Sequence, residues 1–387
     1  MAGTVARDAL LFLALASFAY YLVAIVAALR FFRRTAASAA PPALAPPVSI
    51  LKPIYGLDRE TYENYASFCR QEYPDYEILF CTSDDQDPAI PVIEQLARDF
   101  PGQRIRLLIG SEPLGVSDKV NKLCRMAREA QHEIVIVSDS DVRVTPEYLR
   151  AVVAPFSDPA VGAVTCLYRG LTDGSLAANL ESIGNSTDFT AGVLVAWLFS
   201  DVNFMLGATM ATTKKHLADI GGFESLVDYF SDDYELGNRI AARGHRVALL
   251  DFPVSIVYPQ QTLADAFRHQ LRWNLSIRFS RPAGHLGLLF TQALPLAVLA
   301  AIFAPSAAWA VGLLLAYLLL RGISAWVIGV AGMDDATLRK NMELLPLRDA
   351  FAFAVWLASF FPQRIHWRGR EYQVRDKRLV AIAPRQS

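Results

Sequence analysis

Long apolar runs lie near both ends of the chain, and shorter ones lie between them. Residues 9–29 carry no charge, and a helix of about 20 apolar residues crosses a bilayer core of ~30 Å. Arg30, Arg33 and Arg34 follow directly, and such arginines favour the cytoplasmic side of a membrane. We therefore expect residues 1–47 to be a transmembrane helix and a linker that leads into the cytoplasm.

Two further apolar runs lie in the last quarter of the chain. Residues 286–304 are uncharged, and we expect Pro295 to kink this second span. Residues 307–332 predict a third span that contains Arg321. An arginine within a span either serves a function in the membrane or reaches out to the lipid headgroups.

The segment after the third span is shorter and more polar. Residues 347–361 are too few for a full span, which favours a re-entrant or interfacial segment. The tail at 363–378 is strongly basic, so we expect it in the cytoplasm. If the N-terminus lies outside, three spans place the tail in the cytoplasm. The alternative is four spans.

Short apolar runs alternate with helical spacing between residues 48 and 256. The predicted strands are 48–51, 77–81, 105–109, 134–137 and 162–165, and the predicted helices are 60–70, 90–99, 119–130 and 146–154. Strands that alternate with helices predict βαβ units and a mostly parallel sheet. We therefore expect one α/β domain over residues 48–260.

Composition narrows the class of protein. The chain is 53% hydrophobic and 19% charged, which indicates membrane segments beside a globular part. A net charge of −1 provides no general attraction to nucleic acid. The four cysteines show no C-x-x-C spacing, so neither a zinc knuckle nor a redox pair is indicated. We interpret them as reduced thiols in a domain that faces the cytosol.

Two carboxylates follow the most apolar predicted strand, in the sequence IVIVSDSDV at 134–142. Ligands of open α/β sheets bind at the carboxyl ends of the strands. Asp139 and Asp141 could there hold a divalent cation through oxygen ligands. The alternative is that they shape a turn or cap the next helix.

Polar residues also follow other predicted strands. Asp84 begins an acidic cluster after strand 77–81, where an acid can accept hydrogen bonds from a nucleoside; a solvated loop is the alternative. Lys119 opens a helix in GVSDKVNK and either binds phosphate or lies on an exposed helix face. Asp233, in SDDYEL, either caps a helix or acts as a general base.

The stretch 264–280 is amphipathic and strongly basic. Apolar positions alternate with arginines at helical spacing, and the next apolar run follows closely. This pattern predicts a helix that lies in the membrane interface, and we assign residues 261–285 to it. Residues 286–387 then form a C-terminal transmembrane region and a basic tail.

Seven motifs occur in one order along the chain. They are LKP at 51–53, the Asp84 cluster, GVSDKVNKL, SDSDVRV, GGF at 221–223, SDDYELGNRIAARGHR and HQLRW. Together they resemble the membrane glycosyltransferases of the ceramide glucosyltransferase type, a branch of the inverting GT-A group. Bacterial relatives include the enzyme that adds N-acetylglucosamine to bacteriohopanetetrol. The likeness runs from about residue 48 through the C-terminal membrane part.

The resemblance implies a role for each acidic motif. Asp84 matches the family's first aspartate, which faces the uridine. Asp139 matches the second, and Asp141 completes a D-x-D that would bind Mg2+ or Mn2+ bridging the diphosphate. Asp233 matches the acid that deprotonates the acceptor hydroxyl. Lys119 is a candidate for binding the nucleotide phosphates.

The resemblance also implies roles for residues of the HQLRW motif. Arg272 and Trp273 match the end of the family's (Q/R)xxRW, which closes over the nucleotide sugar near the membrane. His269 stands where the family usually has Gln or Arg. Either His269 donates the same hydrogen bond, or Gln270 and Arg268 take over part of the role.

The resemblance implies a Rossmann-like GT-A catalytic domain with transmembrane helices at both ends. The implied reaction is the inverting transfer of glucose or N-acetylglucosamine from a UDP-sugar to a lipid hydroxyl, of ceramide or a hopanoid polyol. Composition favours a bacterial inner membrane, with the catalytic domain in the cytoplasm. The alternatives are a processive polysaccharide synthase, a polyprenyl-phosphate sugar synthase and a non-catalytic lipid-binding protein. The oligomeric state is not indicated.

Overall fold

The computed structural model describes residues 2–36, 45–361, 365–367 and 370–381. The chain forms two compact units, each assembled from separate segments. The helical unit comprises Met1–Ala37, Arg169–Ser200 and Gln260–Gln363. The sheet unit comprises Ser38–Tyr168, Asp201–Pro259 and Arg364–Ser387.

The strands form one large and one small sheet. The large sheet contains β1 (Val48–Pro53), β2 (Tyr76–Thr82), β3 (Arg104–Ile109), β4 (Ile134–Val137), β5 (Val142–Arg143), β6 (Val161–Leu171), β7 (Met210–Thr213) and β8 (Arg246–Val257). Its strand order is β3-β2-β1-β4-β7-β6-β8-β5. The small sheet contains β9 (Ile365–Trp367), β10 (Arg370–Arg375) and β11 (Arg378–Ala381).

The α-helices lie in both units. In chain order they are α1 (Ala2–Ala36), α2 (Thr61–Cys69), α3 (Ile90–Asp99), α4 (Asp118–Glu129), α5 (Tyr148–Val153), α6 (Leu176–Gly184), α7 (Thr190–Phe199), α8 (Lys214–Asp219), α9 (Asp232–Ala242), α10 (Leu263–Ser280), α11 (Pro282–Gly287), α12 (Ala293–Ile302), α13 (Ala307–Ala325), α14 (Ala336–Lys340) and α15 (Leu345–Ala358). Each predicted strand and helix of the α/β region is present, with ends shifted by a few residues.

The large sheet is parallel where the sequence alternates strands with helices. β1 pairs in parallel with β2 and β4, and β2 pairs in parallel with β3. β7 runs antiparallel to both β4 and β6. All residues of β1, β2 and β4 are buried, because helices cover both faces of such a sheet. The predicted mostly parallel α/β fold is confirmed.

The basic tail forms the small antiparallel sheet of the sheet unit. β10 pairs with β9 and β11, and the β10–β11 turn places Asp376 and Lys377 at φ 48° and 66°. The tail also bonds to the segment that precedes α9. The Leu379 N–H donates to the Asp228 carbonyl at 2.8 Å, and the Phe230 N–H donates to the Lys377 carbonyl at 3.1 Å.

Two described helices are long and apolar enough to span a membrane, namely Arg7–Arg34 and Ala307–Gly332. The predicted second span falls on a bent pair of helices, in which Pro282–Thr291 and Ala293–Ile302 meet at 53°. The bend falls at Gln292 rather than at the predicted Pro295. Pro295 lies in the first turn of α12, where a backbone N–H has no intrahelical acceptor, so proline causes no break there.

Side chains of α1, α12 and α13 form the core of the helical unit. This cluster includes Phe18 and Tyr21 of α1, Ala297 of α12, and Leu313 and Tyr317 of α13. The outward faces of the same helices expose large apolar side chains, among them Phe12, Leu299 and Leu319. Helices with an apolar core and an apolar exterior suit a lipid environment.

Candidate active site

The carboxyl end of β4 carries the D-x-D pair. The Ser138 N–H still bonds to the Leu51 carbonyl of β1 at 3.1 Å, so the chain leaves the sheet directly after Ser138. A turn follows, in which the Val142 N–H donates to the Asp139 carbonyl at 3.3 Å. Asp139 and Asp141 are therefore presented at the edge of the sheet where β1 also ends.

Lys119 joins two of the acidic motifs. It lies at the start of α4, where the Ser117 side chain caps the helix by accepting the Val120 N–H. Its Nζ lies 2.8 Å from Asp139 Oδ1 and 3.4 Å from Asp232 Oδ2. Burial alone would lower the pKa of Lys119, but Asp139 and Asp232 raise it above its ordinary value. The lysine is therefore charged at neutral pH.

The carboxylates of Asp139 and Asp233, two of the predicted site residues, both lie close to Gly207. A Cβ atom added at Gly207 would lie 3.4 Å from Asp233 Oδ2 and 3.5 Å from Asp139 Oδ2. The same loop is fixed to α9, since a Cβ at Gly237 would come within 2.5 Å of the Phe204 backbone. The structure thus brings Asp139, Asp233 and Lys119 together, and glycine leaves space between the two carboxylates.

Burial and neighbouring charges raise the pKa of two carboxyl groups at this site. Burial raises the pKa of Asp233 to about 6, with a contribution from Asp232 and an opposing one from Lys119. Burial likewise raises the pKa of Asp141 to about 7, and repulsion from Asp139 adds to it. A carboxyl group with a pKa near the working pH suits general acid–base catalysis.

Lys52 is a residue of this site that sequence reasoning did not single out. It is fully buried, and its Nζ donates to the Asp139 carbonyl at 2.8 Å and lies 3.8 Å from the Phe68 ring centroid. Burial lowers the pKa of Lys52 to about 7. Lys52 thus fixes the backbone of the D-x-D turn. The LKP motif was the one sequence signal for it.

Asp84 lies on the exposed loop after β2. Its Oδ1 accepts the Gln86 N–H at 2.9 Å, which is a local turn interaction. The neighbouring Ser83 hydroxyl donates to Asp118 Oδ1 at 2.7 Å and so ties the loop to α4. The uridine-facing role of Asp84 stays a prediction.

The HQLRW motif belongs to α10 of the helical unit. His269 Nδ1 lies 2.5 Å from Oε1 of Glu181, a fully buried carboxylate on α6. Gln270 is also buried and donates to Glu181 Oε1 at 3.3 Å. Arg268 is exposed and pairs with Asp265 on the same helix. His269 and Gln270 therefore share Glu181, which the sequence patterns did not indicate.

The other two motif residues lie on the same helix. The ring centroid of Trp273 lies 4.8 Å from that of His269, and Arg272 is half-buried. The predicted site residues are thus divided between the units. Asp84, Lys119, Asp139, Asp141 and Asp233 lie in the sheet unit, whereas His269, Arg272 and Trp273 lie in the helical unit.

The D-x-D pair fits a divalent cation that takes further ligands from a substrate. Within the described residues, no three His, Cys, Asp or Glu side chains form a group that could hold a metal. Mg2+ is commonly bound by one or two carboxylates together with substrate phosphates and water. Asp139 and Asp141 supply two such oxygen donors, and a cation would offset the repulsion that raises the Asp141 pKa.

Comparison with known proteins identifies relatives over most of the chain. Ceramide glucosyltransferase 1 of Caenorhabditis elegans is 29% identical over 254 residues, which cover 65% of this chain and 54% of that protein. Ceramide glucosyltransferase 3 of the same organism is 29% identical over 213 residues, covering 54% and 45%. The chain spans about half the length of these relatives.

A solved structure shares the fold. A mannosyltransferase from Pyrobaculum calidifontis, in complex with GDP-Man and Mn2+, superposes with a TM-score of 0.52 at 19% identity, covering 90% of this chain and 99% of that one. The predicted GT-A fold is thereby confirmed. The model of the family described as Glycosyl transferase family 21 matches residues 9–380. The chain therefore belongs to glycosyl transferase family 21.

Proposed function

We propose that the protein transfers a hexose, glucose or N-acetylglucosamine, from a UDP-sugar to a hydroxyl group of a membrane lipid. Ceramide and a hopanoid polyol are the two acceptors that we propose. Family membership supports sugar transfer, and the relatives named ceramide glucosyltransferase support a lipid acceptor. The two membrane-length helices support an enzyme that meets its acceptor in the bilayer. We place it in the bacterial inner membrane, with the site facing the cytoplasm.

The observation that carries the proposal is the open point at Gly207. One carboxylate of the D-x-D and the carboxylate of Asp233 both face it. The family resemblance gives these carboxylates different tasks, one at the donor diphosphate and the other at the acceptor hydroxyl. Their approach to one point supports a reaction in which both tasks serve one reacting carbon, as a single displacement requires.

The proposed reaction is an in-line displacement at the anomeric carbon. Asp233 accepts the proton of the acceptor hydroxyl while its oxygen bonds to that carbon. The bond from the carbon to the diphosphate oxygen breaks, and UDP leaves with the electron pair. One displacement inverts the configuration, so an α-linked donor gives a β-linked product. Mg2+ or Mn2+ bound by Asp139 and Asp141 would supply positive charge for the leaving diphosphate.

Lys119 has three effects in this proposal. Its ammonium group holds Asp139 Oδ1 at 2.8 Å, which orients the D-x-D carboxylate before substrate binds. The same charge lowers the pKa of Asp233 and so favours the ionised form that acts as the base. Lys119 also offers positive charge to a nucleotide phosphate.

The experiment is turnover by the purified full chain in detergent with Mn2+ or Mg2+. A panel of UDP-sugars is tested against ceramide and bacteriohopanetetrol, and UDP release is measured. We expect release with one donor–acceptor pair and its loss on chelation of the metal. The Asp233→Asn variant should lose turnover by orders of magnitude, whereas Asp219→Asn, at an exposed carboxylate, should not.

Two outcomes would contradict the proposal. Asp233→Asn turning over like the wild type would remove Asp233 from the role of base. If the folded protein, supplied with metal, released no UDP with any donor–acceptor pair, the result would instead favour a non-catalytic lipid-binding protein.

A further inference from the structure

The helical unit contains a pocket, mainly apolar but with four charged lining residues, near the midpoint of both membrane-length helices. Its volume is about 140 Å³. Tyr20 and Tyr21 lie at the middle of Arg7–Arg34, and Arg321 lies near the middle of Ala307–Gly332. Asp188, Arg348 and Asp349 complete the charged part of the lining. Ionisable side chains at such positions commonly mark substrate pathways.

The charges that line this pocket balance one another. Arg321 Nη2 lies 2.7 Å from Asp188 Oδ1 and 2.9 Å from Asp349 Oδ1. Arg348 Nε lies 3.0 Å from Asp188 Oδ2, and the Tyr317 hydroxyl donates to Asp349 at 2.9 Å. Two arginines therefore face two aspartates. An additional charged group would have no counter-ion among them, so the pocket suits an uncharged ligand.

One hydrogen-bond donor in the pocket lacks a partner. Arg348 is 5% exposed, its Nη2 donates to Gln270 Oε1 at 3.2 Å, and its buried Nη1 has no hydrogen-bond partner. A charged donor that is buried and unpaired costs free energy. Gly184 makes room for this guanidinium group, since a Cβ there would lie 2.3 Å from its Cζ. A ligand oxygen would satisfy the donor.

The pocket also offers acceptors and apolar walls. The Asp188 side chain is 33% exposed, so its carboxylate can accept from a ligand hydroxyl in addition to its arginine partners. Ala191, Ile277, Ala352 and Trp356 supply apolar surface. A pocket that combines one free donor, an accessible carboxylate and apolar walls matches the head of a lipid that carries hydroxyl groups.

We propose that this pocket holds the uncharged, hydroxylated head of the acceptor lipid before transfer, an inference that rests on the proposed function. A lipid oxygen accepts from Arg348 Nη1, and a lipid hydroxyl donates to Asp188. The pocket shares Gln270 with the HQLRW motif, because Gln270 contacts both Arg348 and Glu181. Glu181 in turn contacts His269. A lipid head bound in the pocket therefore contacts the same hydrogen-bond network as His269 and Gln270 of the HQLRW motif.

The test measures binding of a fluorescent short-chain ceramide to the full chain in detergent, without a sugar donor. Arg348→Lys keeps a positive charge beside Asp188 but removes the unpaired nitrogen, and Arg348→Gln removes both. We expect both variants to bind about tenfold more weakly or worse, as loss of a hydrogen bond to a charged group predicts. Arg339→Gln, at a half-exposed arginine of the same unit, is the control and should bind like the wild type.

Analogues test the wild-type protein directly, so the inference does not depend on how the variants fold. Ceramide with both hydroxyls methylated should bind about tenfold more weakly, and phosphatidic acid should not compete. Equal binding of the methylated analogue, wild-type affinity of Arg348→Lys, or preferential binding of phosphatidic acid would each overturn the inference. Hydroxyl-dependent binding without turnover on any UDP-sugar would refute the proposed reaction while the lipid site stands.

Discussion

At the scale of single residues, the charge of Lys119 limits the rise that burial causes in the pKa of the proposed base. Asp233 has a pKa of about 6, and Lys119 keeps it from rising further. A base works in its ionised form, so kcat/KM should fall about tenfold per pH unit below that pKa and level off above it. A pH–rate profile from pH 5 to 8 measures this acidic limb, the part of the profile in which kcat/KM falls as the pH is lowered.

Substitution identifies the group that titrates. Lys119→Met should move the limb to higher pH, because it removes the charge that lowers the Asp233 pKa. Lys215→Met, at an exposed lysine of the same unit, should leave the limb in place. A limb that moves with Mn2+ concentration would instead belong to Asp141, where a cation and a proton compete. That result would contradict the assignment to Asp233.

A second prediction at the residue scale concerns Gly207. A methyl group there stands in ordinary contact with Asp139 and Asp233, so Gly207→Ala should fold normally. It would nevertheless occupy the space in which the proposed reaction takes place. We expect turnover to fall at least tenfold while the thermal unfolding midpoint in detergent stays within a few degrees. Gly102→Ala, with nothing within 4 Å of its Cβ, should change neither quantity, and full activity of Gly207→Ala would refute the role of this space.

Site residues that stand in recognisable sequence motifs could be predicted, and site residues outside such motifs could not. Asp139, Asp141 and Asp233 stand in short acidic motifs, and the structure brings Asp139 and Asp233 to one point. Glu181 and the Arg348–Asp188 pair lack such a signal, and Lys52 has only the LKP motif. Their roles arise from contacts between distant parts of the chain.

At the scale of elements, the β10–β11 hairpin supports the segment that leads into α9. Leu379 is 2% exposed, whereas its neighbour Val380 is 41% exposed. Leu379→Asp would bury an unpaired carboxylate and should displace the hairpin from residues 228–230. We expect turnover to fall strongly because Asp232 and Asp233 follow this segment. Measured UDP release should be normal for the control Val380→Asp, and normal release from Leu379→Asp would show that the hairpin is dispensable.

The elements themselves followed from the sequence wherever their periodicity was regular. The parallel strands have continuous apolar runs, and their positions were predicted closely. The bend at Gln292 was not predicted. Thr291 and Gln292 are polar, but the run 286–304 is uncharged throughout, and composition alone does not report a local backbone angle. The small sheet of the tail was also missed, because its basic residues suggested only a location. Its contact with residues 228–230 joins parts of the chain that lie far apart in sequence.

At the scale of the whole molecule, the small sheet constrains the membrane topology. Its bonds to residues 228–230 place the tail on the same side of the bilayer as the large sheet. The chain must therefore cross the bilayer an even number of times between β8 and β9. Ala307–Gly332 is long and apolar enough for one crossing, and we predict that the bent pair provides the other. With α1 the predicted number of spans is three.

Labelling of single introduced cysteines tests this topology, since the four native cysteines are buried. Ser306→Cys, between α12 and α13, should react with an impermeant maleimide on intact cells. Gly102→Cys, in the sheet unit, should react only after lysis. Protection of residue 306 in intact cells would mean that the bent pair does not cross.

The pairing of the tail with residues 228–230 also sets when the enzyme becomes complete during its synthesis. The ribosome makes Asp233 long before it makes Leu379, and the membrane helices of the C-terminal part are made between the two. The neighbourhood of the proposed base therefore lacks this supporting hairpin until those helices have been made. We expect activity to begin only after residues 370–381 have left the ribosome.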